Sequence, residues 1–325
     1  VLGWAEGPGW RGADTDWQRL ATACENALVK AEEMAQSPGE RWVLPDQILV
    51  GLAASQLRGR AWTVVQRRSR PDRPIDEQEL ESLLGRALRL AVNRLRSDVA
   101  DGSAKASTWL PVDAAPVALT IDGRGVTDLV GFRGREMGAT VFVALAQAEV
   151  VETWGLVARE LEFSALTLSA IPLALAASLT MTQGLLIDIG GTTTDLIWCR
   201  AGRPVMLDSL PVGGADLSRA LIRKWNLSSE RAEQLKRAYC GDRLKDEAKA
   251  QVGEGLMPGI EFWLAETEES MARLNREDVL PQHLYLLGGG SLLPGIREAL
   301  CSLAWSEHLQ FVRYPQVSQL WPTDV

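Results

Sequence analysis

One stretch constrains this chain more than any other: Leu185-Leu186-Ile187-Asp188-Ile189-Gly190-Gly191-Thr192-Thr193-Thr194-Asp195-Leu196. A buried strand delivers an acid to its end, two glycines make a tight hairpin whose backbone N–H groups can approach an anion, and three hydroxyls follow. Such a turn suits a phosphate chain with a divalent ion. Asp188 is the expected holder of Mg2+, through water, because magnesium keeps much of its hydration shell. Gly190, Gly191, Thr192 and Thr193 are the expected phosphate contacts. The alternative is an ordinary Gly-Gly hairpin, and the acid and the hydroxyl run weigh against it.

Two further glycine turns follow. Ser209-Leu210-Pro211-Val212-Gly213-Gly214-Ala215-Asp216 ends a strand and starts a helix, and helix N-termini favour anions. Any tight strand-to-helix turn looks the same, so this segment alone leaves both readings open. Leu284 to Ile296 puts Gly288, Gly289 and Gly290 between strand and helix, where a backbone without Cβ can lie flat against a purine or an α-phosphate. Neither a Walker A loop nor a spaced GxGxxG is present. Between the two turns, Glu233 and Lys236 stand three apart on one helix face, as a surface ion pair or as ligand contacts.

The rest of the sequence narrows the class. With 325 residues there is room for two domains, and 46% hydrophobic with 23% charged residues describes a globular chain. A net charge of -8 argues against nucleic acid as the main partner. Cys24, Cys199, Cys240 and Cys301 show no metal or disulfide spacing, and His283 and His308 form no metal-binding or triad pattern. The uncharged run from Ser164 to Ile187 is long enough to span a bilayer. Its Ser, Thr, Pro172, Gln183 and Gly184 make it read instead as strand, helix and strand in series.

Periodicity places helices at 14–35 with Asp14 as cap, 75–95, 149–160, 172–179, 216–225, 229–239, 262–274 and 293–303. Strands are expected at 1–5, 46–52, 61–66, 115–120, 139–144, 165–168, 184–189, 196–200, 205–210 and 284–287. The basic, proline-bearing stretch 67–74 reads as a boundary, and the helix and strands after it as a small inserted α+β unit.

In this order, the three glycine turns resemble the second phosphate loop, the following glycine turn and the adenosine motif of the actin-like ATPases. Pro211 to Gly214, Ala232 to Lys236, Gly288 to Gly295 and the central segments Ile121-Asp122-Gly123, Asp128 to Gly131 and Arg135-Glu136-Met137 resemble the FtsA family more closely, with part of the likeness shared by PilM. The resemblance implies an α/β, actin-like (ribonuclease H-like) two-lobed ATPase fold with an inserted small α+β subdomain. It divides the chain into a first lobe (1–66), an inserted interaction subdomain (67–148), the first lobe continued (149–182), a second lobe (183–224), its small subdomain (225–279) and the second lobe continued (280–325). It implies ATP and Mg2+ as cofactors, with Gly213, Gly214, Glu233, Lys236, Gly288, Gly289 and Gly290 added to the hairpin residues as nucleotide contacts.

The implied role is a polymerising or scaffold component of bacterial cell division, cytoplasmic and at the inner face of the membrane, with self-association and protein partners such as FtsZ or other envelope proteins. A PilM-type pilus-assembly role, a hydantoinase- or sugar-kinase-type enzyme and a partner-binding pseudo-ATPase are the rival readings. The family's first phosphate loop is not recognisable upstream of the first strands, and no membrane-binding helix is recognisable after Pro322. Where filament-forming relatives carry Glu-Pro, this chain has Ala170-Ile171-Pro172, so slow or absent hydrolysis is expected and no catalytic base is identified.

Overall fold

The computed structural model describes residues 17–35, 45–100, 108–179, 183–302 and 304–321. The expected strand at 1–5 and the Asp14 cap lie outside them. The first helix, α1 (Trp17–Ala35), precedes β1 (Gln47–Leu52), a short 3-10 turn (Ala54–Gln56) and β2 (Leu57–Arg67). Then come α2 (Glu77–Ala100), β3 (Trp109–Ile121), β4 (Arg124–Val126), β5 (Glu136–Gln147), α3 (Ala148–Glu160), β6 (Ala165–Ala170) and α4 (Ile171–Ser178). The run from Ser164 to Ile187 is therefore strand, helix and strand, as its composition dictates. Among the described residues no helix is long and apolar enough to cross a membrane.

The remainder is β7 (Gln183–Ile189), β8 (Thr194–Arg200), β9 (Arg203–Leu210), α5 (Gly214–Trp225), α6 (Ser229–Cys240), α7 (Asp246–Asn275), β10 (His283–Leu287), a 3-10 turn (Gly289–Leu292), α8 (Ile296–Cys301) and β11 (Gln316–Gln319). Nine strands run in the order β11-β10-β7-β8-β9-β2-β5-β3-β4. This sheet is two sheets sharing one seam, because β2 meets β9 only at Arg60↔Met206. β1 and β6 form a separate parallel pair.

Alternation explains the central sheet. Along β5, Val141, Val143 and Leu145 pack with α2, while Phe142, Ala144 and Ala146 pack toward β1, β6 and α3. The C-terminal sheet buries the largest core: Leu185, Ile187, Leu196 and Trp198 meet Leu217, Leu221, Leu256, Ile260 and Trp263 from α5 and α7.

Two sequence expectations are corrected. The helix expected at 262–274 begins sixteen residues earlier, at Asp246. Gly255 and Gly259 are not helix breakers here but contact points for α5: a Cβ on Gly259 would sit 3.2 Å from Leu217 Cα, and one on Gly255 would sit 3.0 Å from side-chain atoms of Leu221 and Trp225. Pro258 lies inside the same helix. Conversely, the helix expected at 293–303 spans only Ile296–Cys301, because Gly295 at φ 100° turns the chain before it. Strand β11 was not foreseen.

Candidate functional site

All four sequence segments converge at the tips of β7, β8 and β10. Asp188 and Asp195 face each other in the antiparallel register of β7 and β8, with residues 190–193 as the tip between them. Gly190 N–H donates to Thr193 O at 2.9 Å and closes the hairpin. The amides of Gly191, Thr192 and Thr193 have no hydrogen-bond partner among the described residues. A Cβ added to Gly191 would meet nothing within 4 Å, so the tip is open.

The Pro211–Gly214 turn lies directly behind this tip. Gly214 N–H donates to Gly190 O at 2.9 Å and Ala215 N–H to Gly191 O at 2.7 Å, while Gly213 N–H goes to Asp216 Oδ2 at 2.9 Å. A Cβ on Gly213 would lie 2.8 Å from Gly190 O, so only glycine lets the two turns touch. The first amides of α5 are thus already committed to the hairpin. They buttress it.

The third glycine turn comes from the other side. Gly288 takes φ 82°, and a Cβ there would sit 2.3 Å from Asp188 Oδ1. Gly290 lies as close to Ile189. From α6, Lys236 Nζ donates to Gly214 O at 2.5 Å and pairs with Glu233 Oε2 at 2.7 Å. Ser218 Oγ donates to the same carboxylate oxygen at 2.7 Å.

The charges differ in how they are met. Asp188 is half-buried and makes no ion pair or side-chain hydrogen bond among the described residues. Burial, with the Asp195 charge behind it, raises its pKa to about 6. Burial also raises Asp195, against hydrogen bonds from Ser209 and from the backbone amides of Ser55 and Ala54. Ser209 Oγ donates to Asp195 Oδ1 at 2.5 Å. Burial would raise Glu233 too, but Lys236, Ser218 and Arg237 outweigh it and hold its pKa near about 2.

Three residues at this site were not singled out from the sequence. Asp195 is the register partner of Asp188, and its place at the far end of the same hairpin was a usable signal. Thr194 and Trp263 meet through a buried hydrogen bond of 2.9 Å across 69 positions, for which the sequence offers no signal. Beyond the tips, a cavity of about 890 Å³ lies between α5 and α7 and touches the second turn through Pro211, Val212 and Asp216.

The group that would fit the tips is an anion accompanied by a hard cation. Open amides suit phosphate oxygens, and an uncompensated carboxylate suits Mg2+ with its water shell. Where the Ala170-Ile171-Pro172 departure falls, at the join of β6 and α4, Ser169 Oγ and Ala170 N–H both donate to Asp113 Oδ2, at 2.8 and 2.9 Å.

Over residues 185–316 the chain matches the family model described as cell division protein FtsA. No curated protein matches it. Among solved structures, the PilM-PilN type IV pilus biogenesis complex aligns at 19% identity with TM-score 0.61, covering 99% of this chain and 81% of the other. Ethanolamine utilization protein EutJ from Carboxydothermus hydrogenoformans aligns at 26% identity and TM-score 0.38, over 51% of this chain and 55% of its own. MreB5 of Spiroplasma citri bound to ADP aligns at 17% and 0.39, over 54% and 61%. The near-complete overlay on the pilus protein shows the fold to be the actin-like α/β one.

Proposed function

For a chain similar to the FtsA/PilM branch of the actin-like ATPases, we propose binding of ATP with Mg2+ at the Asp188 hairpin and a role as a scaffold or polymerising component of a bacterial division or envelope machine. One observation carries the nucleotide reading: an unpaired, half-buried carboxylate stands beside three unpartnered amides. Gly191, Thr192 and Thr193 receive the phosphates, and Asp188 holds the water shell of the ion. Bound Mg2+ supplies charge neutralisation for the phosphate chain. Gly213 and Gly214 serve by fixing the hairpin, Glu233 and Lys236 face the sugar side, and Gly288 to Gly290 leave room for the α-phosphate and base.

Residues 67–148, with β2 ahead of them, form the unit proposed to contact protein partners, including a second copy of this chain and FtsZ-type division proteins, at the cytoplasmic face of the membrane. Hydrolysis is slow, because Ser169, Ala170 and Ile171 offer no carboxylate to orient an attacking water. Isothermal calorimetry tests the binding: Asp188→Ala should lose the Mg2+-dependent part of ATP affinity, and equal MgATP affinity in both proteins would refute the site.

A pilus-assembly role is the second reading. It is favoured by an overlay on the PilM-PilN structure that covers 99% of the chain, against a division-family match confined to 185–316. Imaging the tagged protein in its own cells separates them, by mid-cell rings or by foci at pilus bases.

A further inference from the structure

Thr194 and Trp263 are both fully buried, the first at the start of β8 and the second on α7. Trp263 Nε1–H points at Thr194 Oγ1 at 2.9 Å, and Thr194 Oγ1 lies 2.8 Å from Val212 O. The proton positions follow from chemistry. An indole N–H only donates, a backbone carbonyl only accepts, and a hydroxyl has one proton with two lone pairs. Thr194 must therefore accept from Trp263 and spend its single proton on Val212. No other arrangement satisfies all three groups.

Val212 is the residue before Gly213 and Gly214, whose turn grips the carbonyls of Gly190 and Gly191. The Gly190 carbonyl shares its planar peptide with the Gly191 amide, and the Gly191 carbonyl with the Thr192 amide. Two hydrogen bonds thus run from α7 through one threonine hydroxyl to Val212, and after two residues of backbone Gly214 and Ala215 bond the hairpin tip. Within α7, one turn on, Thr267 Oγ1 donates back to Trp263 O at 2.8 Å.

Resting on the nucleotide reading above, we infer that Thr194 and Trp263 are positioning residues for the phosphate site. The indole fixes the direction of the Thr194 hydroxyl, the hydroxyl fixes Val212, and the second turn then holds the Gly191–Thr193 amides in a binding geometry before nucleotide arrives. Neither side chain touches the ligand.

The test uses four variants of the whole chain, Thr194→Val, Thr194→Ser, Trp263→Phe and the Thr194→Val/Trp263→Phe double, titrated with MgATP by calorimetry. Valine keeps threonine's volume and loses the hydroxyl; serine does the reverse. Positioning through the hydroxyl predicts that Thr194→Val weakens MgATP roughly tenfold, the size of one net buried hydrogen bond, while Thr194→Ser stays within about threefold. Trp263→Phe should weaken binding in the Thr194 background and add little to Thr194→Val, the signature of a shared interaction. Binding stoichiometry reports the folded fraction, so misfolding is read separately from affinity. Unchanged affinity in Thr194→Val, equal losses in Ser and Val, or additive losses in the double variant would each overturn the inference while leaving the nucleotide site standing. No MgATP binding by the parent chain would sink the nucleotide reading and this inference with it.

Discussion

The C-terminal sheet and the β1–β6 pair both use parallel strands, but they complete them differently. β10 pairs in parallel with β11 on one side and β7 on the other, and both of its faces are covered: Leu284 and Leu286 lie in one core, Tyr285 and Leu287 against another. Among the described residues β1 pairs with β6 alone; Val50 and Leu52 are buried while Leu49 stands 70% exposed. Parallel ladders are normally buried on both faces. The contrast teaches where a turn gets its rigidity. At the end of β7 the flanking strands and α5 to α7 hold the glycine tip, whereas the end of β6 is tied by Asp113, reaching over from a bulge in β3.

The sharpest way to break this comparison is to remove apolar contacts on each side. Leu256→Ala, in the core under the C-terminal sheet, should cost about 2–5 kcal/mol in urea denaturation, and Leu49→Ala less than about 0.5 kcal/mol. Comparable losses would mean that β1 is covered as well as β10.

The next effect in size is electrostatic. The raised pKa of Asp188 means that the folded state binds this proton more tightly than the unfolded chain, so its ionisation costs stability as pH rises from about 4 to about 6 and the cost stays constant above. Asp188→Asn should therefore stabilise the cation-free protein at pH 7 by up to about 3 kcal/mol and leave it nearly unchanged at pH 4. Destabilisation at pH 7 would show the carboxylate to be paired.

Asp113→Ala should cost about 2 kcal/mol and speed hydrogen exchange at Ala170, with no change at the Gly190–Thr193 tip. Equal acceleration at both places would mean that the two ends are not held independently.

The smallest effect is at Glu233. Its lowered pKa contributes stability that is present above about pH 4.5 and is lost as pH falls toward about 2. Glu233→Gln should be slightly less stable than the parent at pH 7, with the gap closing below pH 3 in the same denaturation series.

Much of this was legible in the sequence, for local reasons. A strand ending in an acid and two glycines is specified by neighbouring residues, and the hairpin of Asp188 follows from them. The same local grammar failed on α7, where Gly253, Gly255, Pro258 and Gly259 look like punctuation until the approach of α5 is known. It also made the N-terminus of α5 look free to receive an anion, although the hairpin carbonyls occupy its amides. Thr194 and Trp263 were beyond reach, because their meaning lies in a contact between distant segments.

The seam between the two sheets has a mechanical consequence. Among the described residues, Arg60↔Met206 is the one rung between β2 and β9, where the two halves of the nine-stranded sheet meet. A ladder of many rungs fixes the angle between two strands through the backbone; a single rung leaves that to other contacts. Beside that rung the two sides are tied by side chains and turn amides instead: Arg60 pairs with Glu277, and the amides of Ala54 and Ser55 reach Asp195. The angle between the two sheets is therefore set by side-chain contacts more than by a backbone ladder.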